Sequence, residues 1–464
     1  MRRYNRRRLL TSGAAAGVLA AAGLPLGASS AQAGGRFVAG LSGASATDTW
    51  DSRSYKGHFM MAAGHGAVFD CLTEIAADGS LTGELATDWE ASPDATTWVF
   101  NLRRGVAFHD GGAFTAADVL ASFALHSGGS GSPAEPLLAS VIAMTATGPH
   151  QVRFELAEGN ADFPYLLSDP RLVIYPSDRM HRAMTGGIGT GLYRVAHFKP
   201  GVRFVGRRVS DHYKDGRAGW FEEIVFVAMH DAQARVQALQ SGGVDAIDEI
   251  GPDAGRALDP ALLVQEVMGN RHLWVAPHPD MEVRSATHLR SALKFGLDRF
   301  SLLRDLAGGH GQPASDSPIG PANQYRVGLP PVLHDPDRAA YHLRKAGLDP
   351  SALDLWQPHL KSRYSSGRVT EDWMLTSLLG TLPETQTKTH LLRLTAAARS
   401  ALDPARRRDL YAEIQHSLRE KDSTTIPFFA NWIQAHGPRV ATPHQIGNVW
   451  TMDNARMAER WWSA

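Results

Sequence analysis

Residues 106–123, VAFHDGGAFTAADVLASF, set a histidine, an aspartate, two glycines and a threonine ahead of an apolar periodic run. His109 and Asp110 are the types that do acid–base chemistry. Such chemistry needs an imidazole oriented by a carboxylate and a third group for it to activate. The sequence offers no such third group. Gly40-Leu41-Ser42-Gly43-Ala44 has the serine of a nucleophile elbow but lacks the second glycine of G-x-S-x-G. The run Gly186-Gly187-Ile188-Gly189-Thr190-Gly191 invites a phosphate-loop reading. A dinucleotide fingerprint must open a helix, whereas this run enters Leu192-Tyr193-Arg194-Val195, which reads as a strand. A tight turn or hinge needing positive φ is expected instead. The 20 histidines include His272, His278 and His310, but none stands in a metal-binding spacing such as H-E-x-x-H. No metal and no cofactor are expected.

These groups must be carried by a chain of 464 residues, of which 43% are hydrophobic. Its 47 basic and 47 acidic side chains balance, so no electrostatic footprint for nucleic acid exists. The single cysteine, Cys71, excludes an internal disulfide and a cysteine-based zinc cluster. Residues 1–12, MRRYNRRRLLTS, carry no acid and precede a weakly apolar Ala/Gly run and Ala31-Gln32-Ala33. This is the order of an export signal, and Arg6-Arg7-Arg8-Leu9-Leu10 resembles the twin-arginine type. The mature protein is expected to begin near Gly34 and to be soluble outside the cytoplasm, periplasmic or otherwise extracytoplasmic.

Residues 35–42 read as a first strand and 60–75 as a helix. The alternation of Trp98, Phe100 and Leu102 predicts a half-buried strand. Gly105 turns the chain, and Thr115 with Asp118 resembles a capping box opening a helix. Helices are predicted over 231–240, over 289–305 as one amphipathic unit, over 335–346 ending at Gly347, and over 403–419. Val244–Asp248 reads as a buried strand end, and 426–429 as a short strand. Alternating helices and strands imply α/β lobes.

Six blocks in order then resemble the extracellular solute-binding proteins, family 5, of peptide- and nickel-type ABC importers. They are residues 85–123, 188–216, 234–248, 290–321, 334–348 and 401–429, and they cover most of the mature chain. The resemblance implies an α/β, two-lobed, periplasmic-binding-protein-like fold (type II) with an extra inserted subdomain. The first lobe is expected over 34–270, with the insertion at about 55–185, and a C-terminal return over 431–464. The second lobe is expected over 271–430, with hinges near 271–278 and 426–435. In this family the HDG corner is structural, and His109 and Asp110 are expected to hydrogen-bond within their loop. The second lobe is expected to be shortened, because residues 349–364 alone separate the 335–346 helix from 365–379. Peptide-binding members hold the ligand's amino terminus with an aspartate just upstream of that segment, where this chain has Ser366.

A binding protein of this kind needs no nucleophile. It needs a cleft whose polar groups replace water around the solute. A peptide's carboxylate calls for an arginine, its ammonium for an acid, and its side chains for aromatic walls. Gly367–Trp373 supplies all three, so Arg368, Glu371, Asp372 and Trp373 form the first candidate site. Its plainer role is a helix start, with Thr370 as cap and two acids in the first turn. Trp50 and Asp51 form a second candidate, and Asn431 with Trp432 a third. The expected function is capture of a small solute, a short peptide, by a monomer that delivers it to an ABC permease. A secreted hydrolase and a degenerate binding protein that has lost its site are the alternatives.

Overall fold

The computed structural model describes residues 31, 33–251, 258–277, 285–351, 360–365, 370–382, 384–420 and 425–464. The export signal proposed for 1–33 therefore lies almost wholly outside the described residues. No helix among them is long and apolar enough to cross a membrane.

The chain begins with strand β1 (Arg36–Leu41). Phe37, Ala39 and Leu41 alternate into one core, while Val38 packs on the other side with Val236 and Ile247. A strand buried on both faces suits parallel neighbours. The short strands β2 (Thr73–Ile75) and β3 (Leu81–Gly83) pair as a hairpin. The next four, β4 (Ala86–Ala91), β5 (Thr97–Leu102), β6 (Val141–Gly148) and β7 (Gln151–Leu156), form a separate antiparallel sheet in the order β4-β5-β7-β6. Trp98, Phe100 and Phe154 on its inner face meet Phe163 at ring separations of 5.2–6.5 Å, with Phe123 of the helix Ala116–Ala124 beside Phe154.

A larger sheet runs through the rest of the chain. It takes β8 (Tyr193–Lys199), β9 (Arg203–Arg208), β10 (Glu223–Ala228), β11 (Ala246–Ile247), β12 (Leu263–Pro277), β13 (Gly311–Pro313), β14 (Leu360–Ser365) and β15 (Phe428–His436). With β1 its order is β14-β12-β15-β11-β1-β10-β9-β8, and β13 pairs with β15. β1 is parallel to β10 and β11, and the other pairings are antiparallel. β12 is 15 residues long. Its start and the end of β15 lie beside β11, while the far end of β12 holds β14. These two strands carry the chain from one half of the molecule to the other.

The quoted corner is strand, glycine turn and capped helix. Gly111 has φ of 89°, which disfavours a side chain. Asp118 accepts from the Thr115 backbone N–H at 2.7 Å, completing the capping box. Three expectations change in detail. The helix expected over 60–75 is His58–Ala63, widening through a π-turn at Gly64–Val68, after which the chain becomes β2. Gly64 and Gly66 set that limit: a Cβ on the first would strike Tyr55, and on the second the Ala455 carbonyl. The single helix expected over 289–305 is two, Ala286–Gly296 and Arg299–Ala307. Asp298 separates them by accepting from the Phe300 and Ser301 N–H groups, as an N-cap does. The short strand expected at 426–429 is the nine-residue β15.

Candidate ligand-binding site

A cavity of about 250 Å³ lies between the far end of the large sheet and the helix Glu371–Leu379. The β12–β14 register builds one wall. His272 stands opposite Ser365 and Trp274 opposite Arg363, so these four side chains share a face. The facing wall is one stripe of the helix and the turn after it, Met374, Ser377, Leu378 and Thr381, with Pro318 and Tyr364 completing the lining. Thr370 caps this helix by accepting from the Trp373 N–H at 3.3 Å.

The lining is chemically one-sided. The Arg363 guanidinium rests 5.4 Å from the centre of the Trp274 ring. His272 donates from Nδ1 to the Asn270 carbonyl at 2.9 Å, and burial pushes its pKa down to about 4. It is therefore a neutral imidazole at pH 7 with Nε2 as acceptor. Ser365, Ser377, Thr381 and Tyr364 supply hydroxyls, and among the described residues no lining residue is an acid.

The acids expected to meet a ligand are engaged elsewhere. Glu371 is buried, and its Oε1 accepts from the Tyr325 backbone N–H at 2.8 Å. Burial, with the charge of Asp162 nearby, raises its pKa to about 7. Asp372 accepts from Arg399 at 2.8 Å, and burial holds its carboxyl above the usual range against that arginine. Arg399 also reaches Glu158 at 3.3 Å, and its carbonyl accepts from the Ala161 N–H at 2.7 Å. Arg407 meets Asp162 at 2.5 Å. Trp373 packs on the core of the antiparallel sheet. The start of this helix thus faces the 158–162 segment, and its Met374–Thr381 stripe faces the cavity.

The other candidates lie apart from the cavity. Trp50 is only 1% exposed, among Phe69, Phe198 and Phe204. Asp51 caps the turn Ser52–Ser54 and pairs with Arg53 at 2.7 Å. Trp432 is buried on β15, edge-on to His58, with the Arg271 guanidinium 5.5 Å from its ring centre. Asn431 donates to Glu266 at 2.5 Å. Arg368 lies outside the described residues. Sequence reasoning passed over Trp274, Pro318, Arg363, Tyr364 and Ser365, and weighed His272 only as a metal ligand. The period-two alternation His272/Trp274 and Arg363/Ser365 was the available signal.

Three constellations imitate chemistry. Ser42 donates from Oγ to Asp248 Oδ2 at 2.7 Å, and His58 Nδ1 lies 3.2 Å from the same oxygen. A triad needs serine and aspartate on opposite ring nitrogens. Here both meet the carboxylate, and the serine proton is already committed. Asp70, Glu84 and Glu459 are grouped closely enough to hold a metal, but the Lys214 ammonium sits among them at 2.9, 2.6 and 3.0 Å. His109 accepts at Nδ1 from the Gly189 N–H (3.4 Å) and donates from Nε2 to the Gly191 carbonyl (2.8 Å), while Asp110 holds Arg179 at 2.6 Å. The pair is structural: Asp110 accepts from the Gly112 N–H within the loop at 3.4 Å, and both residues also bond across to other segments. In the glycine run, Gly187 needs its φ of 70°, whereas Gly189 and Gly191 are required by close approach to the Val68 and Ala67 carbonyls.

Residues 80–376 match the family described as bacterial extracellular solute-binding proteins, family 5 Middle. The chain belongs to this family. It is 27% identical over 297 residues to the nickel-binding periplasmic protein of Escherichia coli (strain K12), covering 60% of this chain and 56% of that one. It is 25% identical over 332 residues to di/tripeptide-binding protein 1 of Pseudomonas aeruginosa (strain UCBPP-PA14), covering 64% and 61%. The chain thus spans about 60% of the length of these curated relatives. Among solved structures, the PBP AgaA from A. tumefaciens R10 in complex with agropinic acid superposes with a TM-score of 0.78 at 19% identity, over 93% of this chain and 99% of AgaA. DppA from Helicobacter pylori in complex with peptide STSA gives 0.76 at 16% identity, over 92% and 98%. The fold is the family 5 periplasmic-binding-protein fold. The family is one of substrate-binding proteins, not enzymes.

Proposed function

We propose that this chain is the extracytoplasmic solute-capturing component of an ABC importer. It is exported on a twin-arginine-type signal, works as a monomer, and hands a small solute to a membrane permease. A short peptide is the first class to test. The cavity between β12, β14 and the helix Glu371–Leu379 carries the reading: a ring, a guanidinium and several hydroxyls converge there. β12 and β15 are the proposed hinge between a first lobe (34–270 and 431–464, with the insertion at about 55–185) and a second (271–430). Arg368 is proposed as a further ligand contact, while Glu371, Asp372 and Trp373 hold the cavity-lining helix through Tyr325, Arg399 and the core of the antiparallel sheet. Trp432 and its neighbour Arg271 lie on the crossing strands, where a hinge would bend. Trp50 and Asp51 would brace the first lobe.

The test is a thermal-shift screen of the mature protein, from Gly34, against di- to pentapeptides, amino acids, sugars and nickel. A ligand that binds only the folded state raises the midpoint with concentration. A saturable rise with one solute class is expected. A cooperative melt that no solute moves contradicts the reading and favours a binding protein that has lost its site.

A further inference from the structure

We propose that the site selects its solute by an acidic group and does not read an ammonium; this rests on the solute-binding reading above. Arg363 is exposed, and among the described residues its guanidinium has the Trp274 ring as its contact and no carboxylate partner. A guanidinium over an indole is steadied by the ring and can still offer N–H donors to a carboxylate through two parallel bonds. Among the described residues the remaining polar lining adds no opposing charge. Ser377 offers a hydroxyl that can donate to an anion, and His272 is neutral.

A cationic group fares differently. It would enter a cavity with a fixed positive charge and, among the described residues, no acid in its lining. The two acids closest in sequence are already engaged: Glu371 holds the Tyr325 N–H, and Asp372 holds Arg399. Recruiting either for an ammonium would leave a buried partner unpaired, which is costly. Solute size is limited as well, because about 250 Å³ falls at the small end of ligand cavities. The predicted class is a small carboxylate-bearing solute, no larger than a dipeptide, whose amino group is optional.

The experiment compares three forms of one probe on the mature protein by calorimetry: Ala-Phe, N-acetyl-Ala-Phe and Ala-Phe amide. The free and acetylated acids are expected to bind within threefold of each other, and the amide at least tenfold more weakly. Arg363→Gln should erase that discrimination without moving the unliganded melting midpoint, and Arg363→Lys should keep part of it. Equal or tighter binding of the amide, loss of binding on acetylation, or unchanged discrimination in Arg363→Gln overturns the proposal. If a sugar or nickel binds and no form of the dipeptide does, the inference fails while solute capture stands. If nothing in the wider screen binds, both fall.

Discussion

Two regions of this molecule gather charge, and they do so in opposite ways. Around Lys214 every charged group has a partner of opposite sign. Its ammonium is shared by Asp70, Glu84 and Glu459; Arg456 holds Glu84 and Glu459 at 2.8 and 2.7 Å; Arg460 holds Glu74 and Asp453 at 2.8 and 2.7 Å. Lys214 and Arg456 are buried, and the network ties the C-terminal residues to β2 and its surroundings. Around Arg363 one charge stands with a ring and hydroxyls and, among the described residues, no matching acid in the lining. Saturated charge makes architecture, because each group's desolvation is offset by its partners. Unsaturated charge beside a cavity leaves binding capacity for a solute.

The strongest way to break this contrast is Lys214→Met. It leaves the buried Asp70 without its ionic partner, while Glu84 and Glu459 keep Arg456, and removing one partner of a buried ionic group typically costs about 3–5 kcal/mol. Urea denaturation should show that loss, while the ligand affinity of the fraction still folded stays within threefold. Equal stability to the parent would contradict the architectural role.

A pH series sharpens the contrast next. Burial raises Glu371 to about 7 from an ordinary 4.5. Between those values the folded state binds more protons than the unfolded one, so this group makes stability fall as pH rises from about 4.5 through 7. The shift of roughly 2.5 units corresponds to about 3 kcal/mol across that window. Glu371→Gln keeps an oxygen for the Tyr325 N–H and should flatten this part of the stability–pH curve. A curve as steep as the parent's would assign the slope to other groups.

At the cavity the expected pattern inverts. Arg363→Gln should change unfolding free energy by no more than about 0.5 kcal/mol, as exposed substitutions do, while reducing carboxylate affinity by the tenfold or more stated above. A larger loss of stability would make Arg363 a structural residue. An effect on stability alone belongs to the corner at 106–123: Thr115→Ala removes a capping box and should cost about 1 kcal/mol, with ligand affinity unchanged.

Much of the fold was legible because local rules and global topology agree. Thr115 with Asp118, Gly347 after its helix, and the alternation of Trp98, Phe100 and Leu102 each announced their elements. Asp298 was equally local, yet the apolar periodicity on both sides of it read as one helix. The candidate site was half legible. The segment 367–373 pointed to the correct helix, but its acids turn towards Tyr325 and Arg399 while the stripe one turn later meets the cavity. The opposite wall depends on the pairing of His272 with Ser365 and Trp274 with Arg363. Those partners are about ninety positions apart in sequence, and no single segment's pattern fixes a register between distant strands.

The central claim is that the solute binds in the cavity beside Trp274. Ser377 is exposed on the cavity-facing stripe of the helix Glu371–Leu379, so Ser377→Trp would fill the space at little structural cost. The most direct measurement is a thermal-shift titration of the parent and Ser377→Trp side by side, with whichever solute moves the parent. The account predicts equal unliganded midpoints, a saturable rise for the parent and none for the variant. An equal rise in both proteins would place the solute elsewhere and contradict it.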